Sequence, residues 1–275
     1  MHQADPVADL DLEAEYNNRA RVPEHPGIMQ GWAADAAAYR AERPPVALRY
    51  GSGEREVMDL FEAGEGPTVL FIHGGYWQAL DRSWFSHMAR GLNARGIGVA
   101  VPSYDLCPNV GVGRIVEQMR AAGQALAAHT ARSFVAAGHS AGGHLSACLL
   151  ATDWAELGTP VRPVNAAYAI SGLFDLNPLV PTSINRALGL DAAEATRLSP
   201  LHWSPPAGSR LDAVVGGAES GEYLRQSRRM AERWSAQGVT TRYEAIEGAN
   251  HFTVIAGLAD PDSAMVARVA ELAAH

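Results

Sequence analysis

Short apolar runs punctuate this chain, and between them apolar and polar positions mix at helical spacing. Thr68-Val69-Leu70-Phe71-Ile72, entered through Pro67, is a continuous apolar run. Such a run suits a strand buried on both faces of a parallel sheet. Strands are also expected over 46–50, 56–62, 98–102, 133–137, 166–170, 211–215 and 240–246, and helices over 84–94, 114–129, 141–153, 222–237 and 262–274. Strand and helix alternate, which implies an α/β chain with a mostly parallel central sheet flanked by helices. Two stretches break the rhythm. Residues 1–43 read as a polar N-terminal arm, helical in part and interrupted by Pro23, Pro26 and Gly27, packed over the rest. Residues 173–203 have little periodicity and read as a cap or substrate-loop insertion.

Length and composition narrow the function. A chain of 275 residues suits one large α/β domain, and 47% hydrophobic with 19% charged residues is a globular composition. The polar, acidic segment from Met1 to Glu15 does not read as a secretory signal, and no apolar run is long enough to span a bilayer, so a cytoplasmic location is expected. With a net charge of -8 and no basic stripe, neither nucleic acid nor a membrane surface is an expected partner. A small-molecule substrate is, and a homodimer is compatible with the sequence. Cys107 and Cys148 lie far apart and read as free buried thiols. All 22 basic residues are arginine, which removes Schiff-base, Walker-type and Ser–Lys chemistry.

The strongest chemical signal is Gly138-His139-Ser140-Ala141-Gly142, a G-x-S-x-G placed between a strand-like and a helix-like run. Small neighbours are needed there because the turn is sharp, and the turn raises the Ser140 hydroxyl above the sheet as a nucleophile. By itself the pattern also fits a Gly-rich turn with no chemistry. A second motif, His73-Gly74-Gly75-Tyr76-Trp77, directly follows the apolar strand, where an α/β-hydrolase places its oxyanion loop. The expected oxyanion donors are the N–H groups of Gly75 or Tyr76, and of Ala141. His251, in a loop after the last strand, is the expected base, in the chain order Ser, acid, His. Of the other histidines, His73 should order its loop, His139 should point away from the nucleophile, and His144 should pack or hydrogen-bond. His2, His25, His87, His129, His202 and His275 have no supporting context.

The acid is chosen as Glu219, just past the 211–215 strand, where a carboxylate can orient His251. Glu222 and Asp175 compete for that role. Metal chemistry has no support: there is no HExxH, and His139 and His144 are spaced without a carboxylate between them. Gly51-Ser52-Gly53 lacks the third glycine of a dinucleotide fingerprint, so no cofactor is called for.

Beyond these motifs, 73–78, 138–145 and Glu219 with Gln226-Ser227-Arg228-Arg229 resemble the arylformamidase (kynurenine formamidase)-like branch of the α/β-hydrolases. Glu15-Tyr16-Asn17-Asn18-Arg19, Ser171-Gly172-Leu173-Phe174-Asp175-Leu176 and Leu198-Ser199-Pro200-Leu201 carry the same likeness, which runs over nearly the whole chain. The resemblance implies hydrolysis of N-formyl-L-kynurenine to kynurenine and formate through an acyl-enzyme. Related carboxylesterases share the machinery, so a small-acyl esterase stays open, as does a non-catalytic binding protein on the same fold. Tyr76 and Trp77 are the favoured substrate contacts, either narrowing the acyl pocket or stacking on an aryl group; packing against the cap is the competing role for both rings. Leu173, Phe174, Ser183 and Asn185 are further contacts suggested by position alone.

Overall fold

A computed structural model describes residues 10–159 and 161–274. His2 and His275 lie outside the described residues. Among the described residues, eight strands form one sheet: β1 (Val46–Arg49), β2 (Val57–Phe61), β3 (Thr68–Ile72), β4 (Gly98–Pro102), β5 (Phe134–His139), β6 (Val164–Ile170), β7 (Arg210–Gly216) and β8 (Thr240–Ile246). Their spatial order is β1-β2-β4-β3-β5-β6-β7-β8. Only β2 runs against its neighbours; from β4 to β8 every pairing is parallel.

Alternation along the strands builds two cores. Leu70 and Ile72 of β3, with Phe134 and Ala136 of β5, face one apolar cluster. Val69, Phe71, Val135 and Ala137 face the other. Successive side chains of a strand point to opposite faces, so a strand covered on both sides must be apolar throughout. The first cluster is closed by helices Val112–Thr130, Ala141–Leu150 and Gly221–Ser235, the second by His25–Glu42, Arg90–Ala94 and Ala264–Ala273. Strand β8, at the edge, keeps its polar alternation and is half-exposed. Cys107 and Cys148 are free and buried. Among the described residues, no helix is long and apolar enough to cross a membrane.

Two local expectations change. Pro26 and Gly27 do not interrupt the arm; they open the helix His25–Glu42. Proline in the first turn gives up a donor that has no intrahelical partner anyway. The segment expected as one helix over 84–94 is two 3-10 turns, Arg82–Trp84 and Ser86–Ala89, followed by a short helix. Asp81 tightens its start by accepting from the Ser83 N–H at 2.8 Å and the Ser83 hydroxyl at 2.5 Å. The insertion over 173–203 holds only short turns and helices, at Asn177–Leu179, Asn185–Leu188, Ala192–Arg197 and Pro200–His202.

The last helix is pinned by charge. Arg268 grips the buried carboxylate of Asp212 on β7 at 2.7 and 3.0 Å, a bidentate pair. Asp212→Ala leaves the partly covered guanidinium only its exposed partner Glu271 and should cost about 1–3 kcal/mol, seen as a melting temperature lower by several degrees. Because the pair is remote from the carboxyl edge of the sheet, specific activity of the folded fraction should hold.

Candidate active site

The carboxyl ends of β3, β5, β6, β7 and β8 release five loops onto one edge of the sheet, the place where open α/β sheets bind ligands. The loop after β5 is the sharpest. Ser140 sits at φ 57 and ψ -118, a conformation that typically costs about 1–3 kcal/mol and persists only when its surroundings dictate it. Two backbone bonds hold it there: Ser140 N–H donates to Ile170 at 2.8 Å, and its carbonyl accepts from His144 N–H at 3.1 Å. A Cβ on Gly138 would run into the carbonyl of Gly142, and one on Gly142 into the carbonyl of Ile72. Both glycines are therefore required by backbone approach.

Next to this turn lies the loop after β3. A Cβ on Gly74 would come within 2.9 Å of the His139 carbonyl and 3.0 Å of the Ser140 Cβ. Gly75, Tyr76 and Trp77 follow with φ of 111, 51 and 57, all in the left-handed region. The N–H groups of Gly75, Tyr76 and Ala141 have no acceptor among the described residues. Ala141 is the first residue of the helix Ala141–Leu150, where a free N–H and the helix dipole favour negative charge.

Glu219 and His251 meet across the ends of β7 and β8. Gly217 N–H donates to Ile246 at 2.7 Å and Ala218 N–H to Ala249 at 3.0 Å, which zips the two loops together. One Glu219 oxygen takes His251 Nδ1 at 2.6 Å; the other accepts from Ser171 Oγ at 2.5 Å and Gly216 N–H at 2.7 Å. Both side chains are buried. No hydrogen bond joins Ser140 to His251 in this state, but the two line one cavity of about 360 Å³. The Tyr223 ring lies 4.7 Å from the His251 ring.

The competing acids are elsewhere. Glu222 is buried against Tyr16, whose hydroxyl donates to it at 2.7 Å, and against Arg225 at 2.5 Å. Asp175 accepts from Asn177 at 2.9 Å. His73 donates through Nδ1 to the Gly74 carbonyl at 2.7 Å and is stacked between Phe85 and Tyr104, so it does order its loop. His144 bonds the Leu198 carbonyl at 2.8 Å. His139 does not point away: it lines the cavity, bonds the His251 carbonyl at 2.9 Å and lies 4.7 Å from the His251 ring. Burial pulls His73 and His144 down to about 4, and His139 well below its ordinary range.

Of the expected substrate contacts, Tyr76 and Ser183 line the cavity. Trp77, Leu173 and Phe174 do not; all three are fully buried in the core, with Trp77 edge-on to His144 at 5.0 Å. Asn185 is also away from it, spending its amide on Val180 and Leu190 within its own turn. What sequence reasoning missed is the wall opposite. Glu13, Tyr16, Asn18 and Arg19 of the arm, with Met29 and Trp32 of the helix His25–Glu42, line the cavity together with Phe85 and Phe252. The only early sign of them was the Glu15-to-Arg19 motif, read as a family likeness without a role.

Two outcomes follow from this geometry. Gly142→Ala sets a methyl against backbone that cannot move alone, and should cost about 1–3 kcal/mol or more while removing activity, measured by melting and turnover. The buried neutral histidines also set a pH dependence of stability. Their ordinary value is 6.5 and the folded values of His73 and His144 are about 4, so between these limits the unfolded chain binds more protons. Their contribution to stability is whole above about 6.5 and is lost as pH falls towards about 4. The melting temperature should therefore drop from pH 7 to pH 5, and His144→Gln, which keeps a donor for Leu198, should make that drop shallower.

A family model described as alpha/beta hydrolase fold matches residues 69–255. The kynurenine formamidase of Salmo salar is 31% identical over 226 residues, covering 78% of this chain and 76% of that one. That of Drosophila melanogaster is 30% identical over 232 residues, covering 78% and 77%. A crystal structure from Silicibacter sp. TM1040, provisionally named a thioesterase, superposes with a TM-score of 0.86 at 35% identity over 94% of this chain and 99% of that one. Fold, nucleophile turn and relatives agree: the chain belongs to the α/β-hydrolase family, as a hydrolytic enzyme related at moderate identity to the kynurenine formamidases.

Proposed function

We propose that the enzyme is a serine hydrolase that removes a small acyl group, formyl in particular, from an aryl amide such as N-formyl-L-kynurenine. The observation that carries the reading is His251, held by buried Glu219 at 2.6 Å, on the same cavity as a serine held on a strained turn. In this mechanism His251 takes the Ser140 proton as Ser140 Oγ bonds to the acyl carbon. The carbonyl oxygen gains the negative charge, and N–H groups of Gly75 or Tyr76 and of Ala141 receive it. Glu219, fixed by Ser171 and Gly216, keeps the His251 Nδ1 proton in place and stabilises the imidazolium. His251 then passes its proton to the leaving amine as the carbon–nitrogen bond breaks. A water deprotonated by His251 releases formate from the acyl-enzyme.

The formamide is favoured by the relatives named kynurenine formamidase and by the cavity walls. Its volume, about 360 Å³, suits a small molecule, and Trp32, Phe85 and Phe252 offer flat apolar surface for an aryl ring. A second reading, hydrolysis of a small ester or thioester, has its support in the Silicibacter relative.

Turnover of N-formylkynurenine against p-nitrophenyl acetate and an acetyl thioester separates the readings. The formamide should give the highest kcat/KM, and negligible formamide turnover beside brisk ester cleavage would favour the second. Ser140→Ala should abolish turnover and fluorophosphonate labelling while leaving the melting temperature in place. Glu219→Gln should lower kcat by about 10²- to 10⁴-fold; the same loss from Glu222→Gln, with Glu219→Gln mild, would move the acid.

A further inference from the structure

Three groups from distant parts of the chain converge on the tip of Tyr76: a backbone carbonyl, a hydroxyl and an amide. Its hydroxyl donates to the Tyr16 carbonyl at 2.7 Å and lies 2.7 Å from the Tyr223 hydroxyl. Asn18 Nδ2 reaches Tyr223 at 2.9 Å and Tyr76 at 3.3 Å. Tyr16 itself is locked by Glu222 and Gln226, each at 2.7 Å. Counting protons orients the network. A carbonyl can only accept, so the single Tyr76 proton goes to Tyr16. The short Tyr76–Tyr223 contact must then use the proton of Tyr223. Both hydroxyl oxygens are left as acceptors, and the Asn18 amide is the donor that meets them.

Tyr76 belongs to the loop whose backbone holds three successive left-handed residues, two of them not glycine. Such a backbone relaxes unless outside contacts hold it. On one side Trp77 is buried, with its carbonyl accepting from Cys107 N–H at 2.8 Å. On the other the restraint is the hydroxyl of Tyr76, and the arm supplies it. We propose that Asn18 and the Tyr16 carbonyl are positioning groups: through the Tyr76 and Tyr223 hydroxyls, the N-terminal arm sets the aim of the oxyanion-binding N–H groups. This rests on the reading of Ser140 and its loop as the catalytic centre.

The role is one of transition-state geometry and not of substrate affinity, which makes it testable. An aryl trifluoromethyl ketone reports on it directly. Ser140 Oγ adds to the ketone carbon, the serine proton passes to His251, and the former carbonyl oxygen becomes the anion held by the loop. Asn18→Asp turns two donors into acceptors facing two oxygens whose protons are committed. Asn18→Ala adds no buried charge and is measured beside it, and Tyr76→Phe cuts the tether itself. For each, kcat on p-nitrophenyl acetate should fall about 10- to 100-fold and the trifluoromethyl ketone affinity should weaken by a matching factor, with KM within about threefold. Unchanged kcat in folded Asn18→Ala and Tyr76→Phe, or a fall in kcat with ketone affinity intact, overturns the proposal. Ser140→Ala separates the two levels: activity surviving there sinks the catalytic reading, whereas a dead Ser140→Ala beside normal Asn18 variants sinks only the arm's role.

Discussion

The whole site hangs on how closely two backbones approach at the carboxyl ends of β3 and β5. These strands pair in parallel register, with Ile72 opposite Gly138, so the chains leaving them emerge side by side. Gly142 then lies directly on the carbonyl of Ile72, and Gly74 against Ser140 and His139. No side chain fits between them. That absence of side chains brings the loop after β3 against the serine turn, with Gly74, Gly75, Tyr76 and Ser140 lining one cavity. Most of the polar arrangement is thus a consequence of parallel pairing and three small residues, and the rest of the fold supplies the partners that face it.

Burial decides which ionisable groups remain for chemistry. His73 is sealed between Phe85 and Tyr104, His144 is buried edge-on to Trp77 of the first core, and His139 lines the cavity beside His251. Desolvation holds all three neutral, so each serves as a rigid hydrogen-bonding strut: for the Gly74 carbonyl, the Leu198 carbonyl and the His251 carbonyl respectively. His251 differs in having a carboxylate at 2.6 Å. Of these four, His251 is the one bonded to a carboxylate and not to a backbone carbonyl.

The sheet was legible because each buried strand carries its own signal: 68–72 and 98–102 emerge with the bounds expected of them. The serine turn and the Gly74-Gly75 loop were legible for the same reason, since their glycines answer clashes within a few residues or between adjacent strands. Glu219 was chosen over Glu222 and Asp175 for its place just past β7, and the partners Arg225 and Asn177 of those two competitors appear only in the structure. The misjudged contacts share a cause. Trp77, Leu173 and Phe174 are near the site in sequence, but strand and loop direction turn them into the core. Aromatic character alone does not say which side of a backbone a ring occupies.

The arm was the hardest part to read, and the reason is physical. Glu15-Tyr16-Asn17-Asn18 has no apolar periodicity, and its partners lie some two hundred residues away: Tyr16 with Glu222 and Gln226, Asn18 with Tyr223. Two more acids add to the seam, Glu13 accepting from Ser183 of the insertion and Glu15 from the N–H of Glu222. Polar contacts of this kind offer little net stability each, because the separated groups would bond to water. Their value is directional. A chain that spends three buried or half-buried side chains, Glu15, Tyr16 and Asn18, on tying its first segment to the loops after β3 and β7 gains alignment of those loops, where a displacement well under an ångström matters more than the free energy of folding.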